Sequence, residues 1–268
     1  PLKDTKLTPR ITETAKALWL IYLTITILCT ISYWLGGMKM FDAVGHAFST
    51  VAIGGFSTHD QSLAYFDNPT LEIIAIVCMF VAGMNFALHF SAWRKASAQP
   101  YFQDSELRAY AMIIVIFSVM ATAVLMFTGV YDGAYESARY GVFQVVSALT
   151  TTGLTSTSFH LWPGFLPVLL IFLAFIGGCA GSTAGGMKVI RVVLLYRQSV
   201  REILRLIHPH AVLPVKFGGR TAAPNVLEAV MGFFFLFIAS TVLMTLILLA
   251  TGLDLVTAFS AAAACITN

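Results

Sequence analysis

The chain has 268 residues, 58% of them apolar and 11% charged, with a mean hydropathy of +0.82 and a formal net charge of +3. Soluble domains carry about a quarter charged residues. So little charge beside 21 Phe excludes a disordered chain and a nucleic-acid-binding module, and four scattered cysteines exclude a disulfide-stapled secreted domain. What remains is an all-helical, multi-pass membrane protein, in which the placement of basic residues matters more than their sum.

A hydrocarbon core of about 30 Å needs about 20 apolar helical residues. In chain order, uncharged windows predict spans over 17–35, 73–93, 109–131, 161–187 and 229–253, and between them shorter apolar or small-residue stretches predict short helices over 41–52, 140–151 and 255–267. The short helices cannot cross. They read as re-entrant elements, tolerated at membrane depth only where they are buried in protein or line a water-filled cavity.

If the first span starts in the cytoplasm, the inner segments are 1–16, about 94–108 and 188–220. They hold fourteen of the 16 Lys and Arg, including Lys3, Lys6 and Arg10, and leave only Lys39 and Arg139 outside. That is a strong positive-inside bias. Pro1 is not a natural start, so the chain is expected to be a piece of a longer protein, with no signal peptide before its first span. Cys29, Cys78, Cys179 and Cys265 stand singly in apolar surroundings and are expected to be buried, inert thiols.

Sliding the chain on itself by 98 positions superposes Val44 on Val142, Ser49 on Ser147, Gly55 on Gly153, Pro69 on Pro167 and Gly83 on Gly181, among others. The matches exceed what shared apolar composition gives. Each unit reads as outer span, short helix, glycine-containing loop, inner span. A third begins with the span from Ala229 and stops at Asn268, about two residues before its expected loop glycine. Parallel repeats pack around an axis along the membrane normal, so equivalent loops face one another. The loops are Ile53-Gly54-Gly55-Phe56-Ser57-Thr58 and Thr151-Thr152-Gly153-Leu154-Thr155-Ser156. Small residues and glycine let backbone carbonyls point inward, where a ring of them replaces the hydration shell of a cation. The short helix before each loop aims its negative end at the same point. The competing explanation is close helix packing by small residues, which accounts for one such loop better than for two and the start of a third.

From Gly177 the chain runs Gly178, Cys179, Ala180, Gly181, Ser182, Thr183, Ala184, Gly185, Gly186, a poor stretch for continuous helix at about 1 kcal/mol per glycine. A break is predicted near mid-depth, in the conduction path, where its small side chains block the pathway in one conformation and clear it in another. A glycine packing face, with Gly177, Gly181 and Gly185 four apart, is the alternative. Lys188 and Arg191 follow, then Arg197, Arg201 and Arg205 on a helical pattern. Lipid headgroup contact and topology explain such a run; docking of a cytosolic partner is the sharper reading. Pro209, Pro214, Gly218 and Gly219 end the helix.

Enzyme motifs fail. Gly181 and Gly186 have P-loop spacing, but Met187 displaces Lys188 by one position. Ser57, His59 and Asp60 fit a polar pore mouth, His208 and His210 lack further metal ligands, and His46 and His89 read as packing residues.

The stretches Ser147 to Ser156 and, still more, Gly177 to Arg191 resemble the Trk/Ktr/HKT superfamily of cation transporters, over essentially the whole chain and most closely its bacterial Trk branch. The resemblance implies four repeats of span, pore helix and span around one pathway. Residues 1–98 would be the second repeat, 99–220 the third with its broken inner helix and basic extension, and 221–268 the start of the fourth. It implies potassium coordination by the backbone carbonyls of Ile53, Gly54, Gly55 and Phe56 and of Thr151, Thr152, Gly153 and Leu154, with Thr267 and Asn268 opening the last filter. It implies that residues 177–186 are the intramembrane gate, with Lys188 and Arg191 beside it, and that no organic cofactor is held. It further implies a homodimer in the bacterial cytoplasmic (inner) membrane, in contact with lipid and with a cytosolic ring of nucleotide-sensing regulatory subunits. Ile53-Gly54 stands where the other filter has Thr151-Thr152, so the ring is chemically unequal and a sodium-permeable or sodium-coupled transporter stays open beside potassium uptake. A scaffold subunit that conducts nothing is the alternative from a different class. An incomplete ring is expected not to conduct by itself.

Overall fold

The computed structural model describes residues 11–268 except 209, 210 and 212. Lys3, Lys6 and Arg10 of the expected inner segment, and Pro209 and His210, lie outside the described residues. Among the described residues eleven α-helices follow one another: α1 (Ile11–Leu35), α2 (Met40–Ala52), α3 (Pro69–Ala82), α4 (Phe86–Lys95), α5 (Gln99–Gln103), α6 (Ser105–Thr128), α7 (Ala134–Leu149), α8 (Leu166–Ile176), α9 (Val189–Ile207), α10 (Pro224–Ala250) and α11 (Leu255–Thr267). A two-stranded antiparallel hairpin, β1 (Lys216–Phe217) and β2 (Arg220–Thr221), lies between α9 and α10.

Among the described residues three helices are long and apolar enough to cross a membrane: α1 over Ala15–Leu35, α6 and α10. Their starts follow from local chemistry. The Asp104 carboxylate accepts the N–H of Leu107 at 2.8 Å and so caps α6, while Pro224 opens α10 where a missing N–H costs nothing. Thr24, Thr26, Thr30 and Ser32 along α1 return their hydroxyls to the carbonyl four residues earlier, which hides the polar atom from lipid. The flanks carry bare apolar side chains such as Trp19, Val119, Phe127 and Leu236, as helices need when lipid is the solvent.

Two of the short helices, α2 and α7, are the most enclosed elements. On α2, Ala43, Ala47 and Val51 are 0% exposed at a four-residue spacing, and on α7 Phe143, Val145, Val146 and Leu149 are at most 1% exposed. Small residues let the neighbours close in: a Cβ on Gly141 would stand 3.3 Å from the Thr122 backbone of α6. The buried carboxylate of Glu72 on α3 receives a bidentate pair from Arg139 on α7, at 2.8 and 2.9 Å, and Asp67 takes a further bond from the same guanidinium at 2.9 Å. That clamp holds the first short-helix assembly to the second.

The predicted continuous span over 73–93 is not there. It breaks at Gly83-Met84-Asn85 and turns by 90°. Gly83 ends α3, and the Asn85 side chain caps α4 by accepting the Ala87 N–H at 2.8 Å, a stop and a start two residues apart. The predicted span over 161–187 keeps helix only in α8 before its glycine stretch. Of the cysteines, Cys29 and Cys179 are buried and Cys78 is half-buried, but Cys265 is exposed, contrary to expectation; it lies on the face of α11 that the described residues leave uncovered.

Candidate ion pathway

The site begins with how α2 and α7 end. Both finish on a residue in left-handed conformation, Ile53 at φ +59° and Thr151 at φ +61°, and then Gly54 and Thr152 donate back to Ser49 and Ser147 carbonyls at 2.8 and 2.9 Å. This is a Schellman-type stop, normally built on glycine. Here it carries β-branched residues, for which a positive φ costs on the order of 1–3 kcal/mol and persists only if surroundings force it. One residue further on, Gly55 and Gly153 are again left-handed, at +70° and +80°. Two loops 98 positions apart in sequence thus repeat one strained backbone, with left-handed residues at matching places.

The loops also meet. A Cβ on Gly55 would lie 2.1 Å from the Thr152 carbonyl oxygen, and one on Gly153 would lie 4.0 Å from Gly55 Cα. Further out, Ala64 donates to the Thr155 carbonyl at 3.2 Å and Thr155 to the Ser62 hydroxyl at 3.1 Å. The end of α11 closes on the same place: Asn268, its C-cap, donates through Nδ2 to the Ile53 carbonyl at 2.6 Å, and the Thr267 hydroxyl returns to Ala263 at 2.8 Å. Phe56 is exposed, whereas Leu154 is buried and its carbonyl takes the Ser147 hydroxyl at 2.6 Å. A cavity of about 760 Å³ runs along both loops, bounded across from them by α8 and α11.

Polar side chains back the first loop at its outer end. His46 donates from Nδ1 to the Asp42 carbonyl at 2.8 Å and meets the Ser57 hydroxyl at 2.9 Å; Thr58 donates to the Asp42 carboxylate at 2.7 Å. The Thr58 hydroxyl, with His59 nearby, holds Asp42 below the usual carboxylate range. Among the described residues no group of three or more His, Cys, Asp or Glu is placed to hold a metal ion.

The glycine stretch after α8 is non-helical from Gly177 to Lys188 and lies against the ends of α2, α7 and α11. Thr183 donates to the carbonyls of Val51 at 2.8 Å and Ala82 at 3.2 Å, the Gly185 N–H donates to the Thr151 hydroxyl at 2.8 Å, and the Gly186 N–H to the Thr267 carbonyl at 2.9 Å. A Cβ on Gly185 would stand 1.5 Å from that same carbonyl. Gly178, Cys179, Ala180, Gly181, Ser182 and Ala184 complete the loop, which rests on the elbow of the other unit through a reciprocal pair: Cys179 N–H to the Gly83 carbonyl and Phe86 N–H to the Gly181 carbonyl, each 2.9 Å. Lys188, at φ +78°, folds its ammonium back onto the Ala184 carbonyl. Arg191 lies over the Phe233 ring of α10, 4.1 Å from its centroid, and donates to the Met187 carbonyl at 3.3 Å. Residue-pattern reasoning missed the Gly83–Asn85 elbow and Glu106, whose carboxylate touches this stretch. The elbow had a signal, since Gly83 matches Gly181 in the repeat; Glu106 had none.

Matched strained loops at the ends of short buried helices, set among helices long enough to span, define an all-helical integral membrane protein. The model of the TrkH family, described as cation transport protein, matches residues 1–268, and the chain belongs to that family. It is 50% identical over 270 residues to the Trk system potassium uptake protein TrkH of Vibrio parahaemolyticus, and 48% identical over 268 to that of Escherichia coli K12, covering 100% of this chain and 56% of each relative. The E. coli protein TrkG is 38% identical over 268 residues. The crystal structure of the potassium transporter TrkH from V. parahaemolyticus superposes with a TM-score of 0.93 at 49% identity, over 98% of this chain and 57% of that one. The chain therefore spans a little over half the length of these relatives. Like them it is an integral protein of the bacterial inner membrane.

Proposed function

We propose that this chain is part of the pore-forming subunit of a Trk-type system that takes up potassium through a gated pathway lined by backbone carbonyls. Ile53 to Phe56 and Thr151 to Leu154 would coordinate the ion, Thr267 and Asn268 would begin a further strand of the same ring, and potassium is the cargo. In this reading residues 1–98 are the second repeat, 99–220 the third and 221–268 the start of the fourth. The observation that carries it is the contact of the two loops, Gly55 against the Thr152 carbonyl, with the same left-handed residues in each. Backbone strain repeated at one meeting point has no role in a scaffold, and oxygens held there suit a dehydrated monovalent cation.

Residues 177–186 would be the gate. The support is their position against the pore-helix ends, reached by hydrogen bonds from small residues without helix. Homodimer formation and a cytosolic regulatory ring are proposed for the whole subunit; the exposed basic face of α9, with Arg201 and Arg205 flanking Glu202, supports a docking role. A sodium-permeable pathway is the second reading, favoured by Ile53-Gly54 opposite Thr151-Thr152. Expression of the full-length parent in a potassium-uptake-deficient strain tests both: growth at limiting potassium and rubidium uptake competed by potassium but not sodium are expected. Uptake competed equally by sodium favours the second reading, and no uptake defeats both.

A further inference from the structure

Glu106 lies in the first turn of α6 and is 5% exposed. A carboxylate so enclosed needs hydrogen-bond donors, and those it has come from far along the chain. Its Oε1 accepts the N–H of Ala180 at 2.7 Å and the N–H of Ile190 at 3.2 Å. Ala180 stands in the first half of the glycine stretch, and Ile190 in the first turn of α9, just after it. One oxygen thus bridges the two sides of the stretch, which between them reaches up to Val51, Thr151 and Thr267.

The bridge is well placed chemically. The first turn of a helix leaves N–H groups without intrahelical partners, and negative charge there is favourable. Glu106 itself is fixed from below, because Asp104 caps the same helix turn. The carboxylate is therefore a rigid peg that sets how far apart the base of the loop can open.

We propose that Glu106 is a positioning residue for the gate, tying Ala180 in the 177–186 loop to the helix turn just after it so that the loop's tip stays across the pathway. This rests on reading that loop as the gate. Removing the peg leaves two backbone N–H groups unpaired and frees the base to spread, so the closed arrangement loses population and ions leak. A residue with a merely structural role would lower flux along with the amount of folded protein. A peg raises it.

The test uses the full-length parent in liposomes, with rubidium-86 influx measured without any regulatory subunit, for wild type, Glu106→Ala, Glu106→Gln and a variant lacking Ser182 to Gly185. Glu106→Ala is expected to raise basal influx at least tenfold. Glu106→Gln, which keeps a neutral acceptor oxygen in the same place, is expected to raise it less. Influx at or below wild type in both Glu106 variants, with the shortened loop leaking, overturns the peg and leaves the gate standing. No rise in any variant overturns the gate reading itself. If Glu106→Ala yields no folded protein, Glu106→Gln alone decides: influx above wild type supports the proposal and influx equal to it refutes it.

Discussion

Gly55 and Gly153 occupy the same place in their loops, yet alanine should not be equally harmful at the two. Both positions are left-handed, so each Ala carries about 1–2 kcal/mol of backbone strain. At Gly153 the added methyl meets nothing nearer than 4.0 Å, and strain is the whole cost. At Gly55 it would lie 2.1 Å from the Thr152 carbonyl oxygen, so the loops must part by about 0.9 Å to reach even the 3.0 Å that real contacts seldom undercut. Overpacking against backbone costs about 1–3 kcal/mol more. That excess is a factor of roughly 5 to 150 in the population of the paired loops. A shift of this size also draws one ring oxygen out of line. Gly55→Ala in the full-length parent is therefore expected to melt lower in detergent than Gly153→Ala and to lose most rubidium uptake, with Gly153→Ala intermediate. Equal damage, or greater damage at Gly153, would show that the loops do not abut as described.

Other consequences can be checked on the same protein. Glu72 is 2% exposed and paired twice with Arg139, so Glu72→Gln or Arg139→Gln alone should cost about 3–5 kcal/mol; the double variant should cost clearly less than the sum, and additive losses of thermal stability would refute the pairing. Gly185→Ala drives a methyl to 1.5 Å from the Thr267 carbonyl and should displace the loop, raising basal rubidium influx several-fold; unchanged influx would argue against a closed gate there. Thr151→Val keeps the β-branched shape at φ +61° but strips the acceptor from Gly185 N–H, at a cost of about 1–3 kcal/mol. It should raise basal influx while leaving the preference between potassium and sodium intact, and a changed preference would place the hydroxyl's role in the ring instead.

Much of the architecture was readable in the residues. The predicted spans over 17–35, 109–131 and 229–253 correspond to α1, α6 and α10, and the short helices over 41–52 and 255–267 to α2 and α11, because uncharged length is what lipid demands of a helix. The short helix over 140–151 begins earlier, at Ala134, since its first turns are polar and a hydropathy window passes over them. Hydropathy is equally blind to the 90° elbow: Gly83-Met84-Asn85 carries no charge, and apolar residues run on past it. The strained corners at Ile53 and Thr151 leave no trace in composition, because β-branched residues are poor guesses for a left-handed position. Nothing near Glu106 in sequence announces its burial, as its partners lie 74 and 84 residues further along.

The seat of the glycine stretch is borrowed. Gly83 and Phe86, which bond it through Cys179 and Gly181, are made nearly a hundred residues earlier on the ribosome. Membrane insertion proceeds from the N-terminus, so the later hairpin arrives against a mould already standing and needs no helix of its own to take shape. A lesion at the elbow would then surface as misassembly of a segment whose own residues are all intact.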